Sequence, residues 1–174
     1  MDLIRLDRSD AAYPTALNHY LGKDAPSSIA ILGDPQALKA DKLALFCSVK
    51  CPAKLILQTH DLAHELVQGG VTVIGGFHSP VEKECLRVCD NRHRSDIQMS
   101  LYRNRFVAAL ADWILIPYAG PSSKTEQFCS EILAWQKPVY TFSHVLNENL
   151  ITRGARPLTP GEEVEMTLRS LERG

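Results

Sequence analysis

Three times along this chain a Ser or Thr stands three residues ahead of a glutamate: Ser79-Pro80-Val81-Glu82, Ser123-Lys124-Thr125-Glu126 and Thr159-Pro160-Gly161-Glu162. Each is a helix start. The hydroxyl accepts an orphan N–H of the first turn, the glutamate reaches back toward the cap, and Pro suits the first helical position. What precedes the first two boxes constrains the chain further. Val71-Thr72-Val73-Ile74 and Trp113-Ile114-Leu115-Ile116 are short apolar runs that empty through small-residue loops straight into a box. A buried strand followed by a loop and a capped helix is half of a βαβ unit, and repeating it calls for a parallel sheet with helical crossovers.

The rest of the central chain follows this pattern. Residues 43–49 form another short apolar run, and after Cys51-Pro52 comes a helical stretch with Leu55, Thr59, Leu62, Ala63, Leu66 and Val67 on one face, stopped by Gly69-Gly70. Residues 99–111 are helical again, and Lys137-Pro138-Val139-Tyr140-Thr141-Phe142 supplies a further strand. Asp90 to Asp96 reads as a polar loop, and the third box opens a terminal helix through Met166 and Leu168. Residues 1–40, punctuated by Tyr13-Pro14, Pro26 and Gly33-Asp34-Pro35, read as an irregular arm packed on a domain of residues 41–174.

With 174 residues, 45% of them apolar and 22% charged, the chain can bury one sizeable core and has no room for a long disordered tract. The formal charge of −1 means that any polyanion must be met by a local basic patch. No run reaches the ~18 apolar residues of a membrane span. Met1-Asp2-Leu3-Ile4-Arg5 lacks the apolar core of a signal peptide, so a cytoplasmic setting is expected. Five cysteines, an odd number, fit free thiols in a reducing compartment.

In a parallel sheet, ligands bind where the loops leave the carboxyl ends of the strands. That edge should carry Ser48 and Lys50, then Gly75, Gly76, His78 and Ser79, then Gly120, Ser122, Ser123, Lys124, Thr125 and Glu126, with the 141–144 loop beside them. Two of these loops join small residues to a helix N-terminus, where unpaired N–H groups and the helix dipole favour a phosphate. The same Gly, Ser and Pro residues also serve as ordinary turns and caps. Arg87, Arg92, Arg94, Arg103 and Arg105 form the densest basic segment, which reads either as a nucleic-acid footprint or as a solvated face.

In order along the chain, Tyr13-Pro14 with Leu17, Gly33-Asp34, residues 71–76, Arg103-Asn104-Arg105-Phe106-Val107-Ala108-Ala109-Leu110, and Asn149-Leu150-Ile151 with Gly154-Ala155 resemble the DprA/Smf DNA-processing family. That family sits within a wider Rossmann-like group that includes the cytokinin-activating LOG proteins. The resemblance implies a Rossmann-like α/β fold, a parallel sheet flanked by helices on both faces. It also implies a homodimer that binds single-stranded DNA or a nucleotide without covalent chemistry or cofactor. Arg103, Asn104 and Arg105 would then face phosphates, with the glycine and serine loops supporting the same groove. The Gly76-Phe77-His78-Ser79 loop departs from the family pattern and looks like a less studied subgroup.

Two alternatives stand beside this reading: a LOG-like nucleotide phosphoribohydrolase using Glu126 and an arginine, and a nucleotide-sensing or partner-binding module without turnover. Against the first, Ser122 and Lys124 replace glycines of the LOG-type loop, and added Cβ atoms restrict backbone approach to a phosphate. Glu126 is therefore read first as a capping residue. No metal is expected. The three-residue gaps between Cys47 and Cys51 and between Cys85 and Cys89 permit zinc, but these thiols fall in buried strand and helix positions, where cysteine acts as a small hydrophobe.

Overall fold

The computed structural model describes residues 3–77, 79–89 and 100–159. The expected terminal helix and the Asp90 to Asp96 loop lie outside them. Strand β1 (Leu3–Asp7) and strand β2 (Ser28–Leu32) flank helix α1 (Thr15–Leu21), and β3 (Lys42–Leu45), α2 (Ala53–Gln68), β4 (Thr72–Gly75), α3 (Pro80–Cys89) and α4 (Ser100–Leu110) follow. The chain continues through β5 (Trp113–Leu115), α5 (Lys124–Ala134), β6 (Val139–Phe142), α6 (Glu148–Thr152) and β7 (Arg156–Leu158). Strands β3 to β7 make a five-stranded, wholly parallel sheet in the order β4-β3-β5-β6-β7. This is the Rossmann-like α/β architecture that the sequence pattern implies.

Side chains alternate across the sheet, as the two-residue period of a strand requires. Ala44 and Ile114 face α4, α5 and α6 in a core with Ala108, Phe128, Ile132 and Leu150, while Leu43, Leu45 and Leu115 face α2 with Leu55, Leu62 and Leu66. Both faces are therefore covered, which is why the strands read as continuous apolar runs. Among the described residues, no helix is long and apolar enough to cross a membrane.

Residues 3–32 are not irregular. β1 and β2 pair antiparallel, with Leu3 opposite Leu32 and Asp7 opposite Ser28. The helix between them buries Leu17 and Leu21, with Tyr13 before it, against Ala109, Phe106 and Leu110 of α4. Lys137 fastens this unit. Its buried ammonium donates to the carbonyl oxygens of Ala109, at 3.0 Å, and of Ala111, and it lies 4.1 Å from the centre of the Tyr20 ring.

The direction of each crossover places the ligand edge. From β3 the chain crosses by α2 to β4 on one side, then by α3 and α4 to β5 on the other, so the helices that follow β3 and β5 cover opposite faces and leave a crevice at the strand ends. Asn147 holds the neighbouring loops. It is fully buried, and its Nδ2 donates to the carbonyls of Pro117 (2.8 Å) and Phe142 (3.2 Å), joining the exits of β5 and β6. Asn147→Ala leaves two buried carbonyls unpaired and should lower stability by about 1–3 kcal/mol, read as a reduced urea midpoint at unchanged m-value.

Candidate nucleic-acid interface

A cleft of about 390 Å³ opens at this crevice, lined by Phe46 and Cys47 after β3, Glu82 of α3, Asn104 of α4, and Lys124, Thr125, Gln127, Phe128 and Glu131 of α5. Its rims are built by the two capping boxes. Ser79 Oγ accepts the Glu82 N–H at 3.2 Å and donates to Glu82 Oε1 at 3.0 Å. The same oxygen accepts the Cys47 N–H at 3.1 Å, so a carboxylate only 5% exposed caps α3 and fixes the β3 exit together. On the far rim, Ser123 Oγ accepts the Glu126 N–H at 3.2 Å. Ser48 bridges the rims: its N–H donates to Tyr118 O at 3.0 Å, and its hydroxyl meets Ser123 Oγ at 3.5 Å.

Glu126 departs from a simple capping box. Its side chain turns away from the cleft toward α6, with Oε1 accepting from Asn149 Nδ2 at 2.7 Å. Oε2 accepts the Ser122 N–H at 2.8 Å and lies 3.3 Å from Arg153 Nη2. To offer that N–H, Ser122 adopts a left-handed φ of 59°. Phe77, in the loop after β4, does the same at 49°. Strained non-glycine residues on two loops of one edge are the kind of feature that surrounding structure must hold in place.

The arginines of α4 separate into two roles. Arg105 is paired by charge: its Nε, buried and without a well-aligned hydrogen bond, lies 2.7 Å from Glu131 Oε1, its Nη1 3.6 Å from Asp24 Oδ2, and its guanidinium 5.9 Å from the Trp135 ring centre. Arg103 is not. Its guanidinium lies over Gly76, so close that a Cβ there would come within 2.7 Å of Nε. Its Nε and Nη2 are buried and have no hydrogen-bond partner among the described residues. Those two atoms form one edge of the guanidinium fork, the edge that takes a phosphate or carboxylate through two parallel bonds.

Of the residues expected at the ligand edge, Asn104, Lys124 and Thr125 line the cleft, and Ser48, Ser79, Ser122 and Ser123 build its rims. Gly75 ends β4 against Leu45 O, Gly120 accepts the Ser123 N–H, and Lys50 is exposed. His78, Arg92 and Arg94, with the Arg87 side chain, fall outside the described residues. Sequence reasoning missed the Glu131 pairing of Arg105 and the Asn149–Arg153 grip on Glu126. Glu131 stands one helical turn beyond Gln127 on α5, the only local hint that it faces the cleft.

No family model matches this chain, and no curated protein matches it. Solved structures do. The chain superposes on DNA processing protein A from Streptococcus pneumoniae with a TM-score of 0.77 at 15% identity, covering 95% of this chain and 74% of that one. The fold is that of a DprA-like Rossmann domain. DNA processing protein A from Helicobacter pylori, described for its single-stranded DNA binding mode, matches with a TM-score of 0.74 at 18% identity over 99% of this chain and 97% of that one. The molybdenum cofactor carrier protein of Chlamydomonas reinhardtii matches more loosely, at 0.59 and 13% identity over 78% of this chain and 99% of that one.

The Glu126 network sets a pH dependence. The Asn149 hydrogen bond first, then the Ser122 N–H and Arg153, hold its carboxyl below the ordinary 4.5 despite burial. A depressed carboxylate contributes stability that is fully present above its unfolded pKa and lost as pH falls through the folded value. The stability advantage of the wild type over Glu126→Gln should therefore be constant near neutrality and shrink below about pH 4, as urea midpoints across an acid series would show.

Proposed function

We propose that this chain binds single-stranded DNA, or a nucleotide, through phosphate contacts at the cleft, without turning it over. The observation that carries the reading is the open edge of Arg103, next in sequence to the cleft-lining Asn104 though not itself part of the lining, where Nε and Nη2 are buried beside Gly76 with no acceptor among the described residues. Unpaired buried donors on a charged group are costly, and an incoming phosphate removes that cost. Lys124 adds a positive charge from the first turn of α5, and the N–H groups of Lys124 and Thr125 have no acceptor among the described residues. The two carboxylates that line the cleft are occupied, Glu131 by Arg105 and Glu82 by Cys47 and Ser79. Arg105 serves in this reading to position α4. Likeness of fold to two DNA processing proteins supports the choice of ligand, and a homodimer belongs to the same proposal.

The cleft volume of about 390 Å³ favours a second reading, a single nucleotide, since small-molecule pockets run roughly 300–1,000 Å³. Fluorescence anisotropy with labelled oligothymidylates of increasing length, competed by mononucleotides, separates the two: affinity that grows with length marks a strand, affinity indifferent to it a nucleotide.

Arg103→Ala should weaken oligonucleotide binding by about 10- to 100-fold, the worth of a charged hydrogen-bond pair. It should also flatten the slope of log affinity against log salt by about 0.7 for each phosphate the variant no longer neutralises. Gly76→Ala tests the same edge without removing a charge, because its Cβ displaces the guanidinium. If both variants remain folded and bind as the parent does, the reading fails.

A further inference from the structure

Helix α2 buries Leu55, Thr59, Leu62, Ala63 and Leu66 on its inner side, and its outer side carries two imidazoles. His60 and His64 stand one turn apart there, their ring centres 4.7 Å from each other and their planes inclined at 68°. His60 is partly exposed and His64 exposed. Two histidines at this spacing on one helix face can reach a single metal ion, because one turn brings their ring nitrogens together. Asp61 decides which nitrogen His60 offers. Its Oδ1 lies 3.6 Å from His60 Nδ1, so the carboxylate draws the ring proton to Nδ1 and leaves the Nε2 lone pair for a metal. Imidazole nitrogens suit zinc, copper and nickel. The sequence reading weighed only thiols for zinc, whereas the helix assembles nitrogens.

We propose that His60 and His64 are half of a site for a divalent transition metal of the zinc class, completed by the same pair from a second copy of the chain. Zinc in a closed site takes four ligands in a tetrahedron, and two imidazoles supply half of them. Among the described residues, no group of three or more His, Cys, Asp or Glu comes together to hold an ion, so one chain does not complete the set. The surface around the pair suits a copy of itself. Leu57 and Val67 are exposed, at 66% and 45%, and flank the histidines symmetrically. His60 and His64 lie two positions either side of Leu62, and Leu57 and Val67 lie five. A two-fold axis through the metal, perpendicular to α2, therefore sets Leu57 of one copy toward Val67 of the other while four imidazoles converge on the ion. Pairing these apolar side chains removes them from water in the same step. Helix α2 covers the face of the sheet opposite α4 and α5, so the site is separate from the cleft and its ligand.

The test uses the full chain, purified without a histidine tag and titrated with zinc chloride, followed by calorimetry and sedimentation. Zinc should bind at one ion per two chains and double the mass of the species present beforehand, and a chelator should reverse both. Cobalt in place of zinc should give the visible absorption of a tetrahedral ion without the near-ultraviolet band of a thiolate ligand, which separates this site from the free cysteines. Replacing both ligands, His60→Ala with His64→Ala, should abolish the binding and the change of mass. Asp61→Asn should weaken zinc by about 10-fold through the orientation of His60. Leu57→Glu keeps every ligand but sets a charge in the contact, so the doubling of mass should be lost. That variant and the cobalt spectrum decide the matter if circular dichroism shows the histidine variant unfolded. No zinc uptake, one ion per chain with no change of mass, a thiolate band, or binding unaltered in the histidine variant overturns the proposal. None of these measurements needs an oligonucleotide, so their outcome stands apart from that of the proposed function.

Discussion

The ligand edge depends on the Glu82 carboxylate, which is 5% exposed and does two tasks with one oxygen. Through Ser79 it closes the first turn of α3, and through the Cys47 N–H it fixes the path of the chain as it leaves β3. Without it, the β3 exit would stay tied to the β5 loop through Ser48 but lose its hold on α3. A buried carboxylate at a helix N-terminus is favoured there by the dipole and by the Ser79 hydroxyl and Cys47 N–H that donate to it. Removing the acceptor would leave the Cys47 N–H unpaired beside the cleft, a loss larger than the bond itself is worth. The cleft is thus shaped by polar bonds that reach across the crevice, with the apolar core set back beneath it.

The second box uses the same residue types differently. Glu126 leaves the cleft and binds Asn149 and Arg153, so the start of α5 is locked to α6 while its first-turn N–H groups stay open toward the crevice. Two helix starts that look alike in sequence therefore differ in what they present. One closes the cleft wall; the other keeps its carboxylate out of the cleft. The difference lies in partners far along the chain, 35 residues from Glu82 in one case and 23 from Glu126 in the other.

That contrast explains what the sequence could reveal. Strands β3 to β6, both boxes and the parallel order were legible because each rests on local period and cap chemistry, although the ends shifted: in the run at 43–49 the regular strand spans only Lys42–Leu45, and Phe46 and Ser48 bond on to Leu115 and Tyr118 as the chain forms the cleft wall. The β1–β2 hairpin was not. Its strands are largely exposed, with Leu3 and Leu32 facing solvent, so no buried period marks them. Strand β7 hid behind Pro157, which a strand tolerates at the edge of a sheet, where β7 lies. At the site, the arginines were visible as a cluster but not as a division of labour. Arg103 and Arg105 look equivalent until Gly76 is found beneath one and Glu131 beside the other.

The same geometry bears on whether this edge does chemistry. A catalytic carboxylate must come within hydrogen-bond reach of the proton or water it handles. Both oxygens of Glu126 are already held, one by Asn149 and the other by the Ser122 N–H with Arg153 alongside, and the residue does not line the cleft. To serve a nucleotide it would have to break three contacts and leave Ser122 in a left-handed conformation with nothing to hold it there. Glu82 faces the cleft, but the oxygen that caps α3 also holds the β3 exit, so turning it to a substrate would dismantle the wall that positions that substrate. The groups best placed for a guest are donors, namely Arg103, Lys124 and the first-turn N–H groups of α5. A site rich in donors and with its carboxylates committed elsewhere is suited to holding a phosphate still.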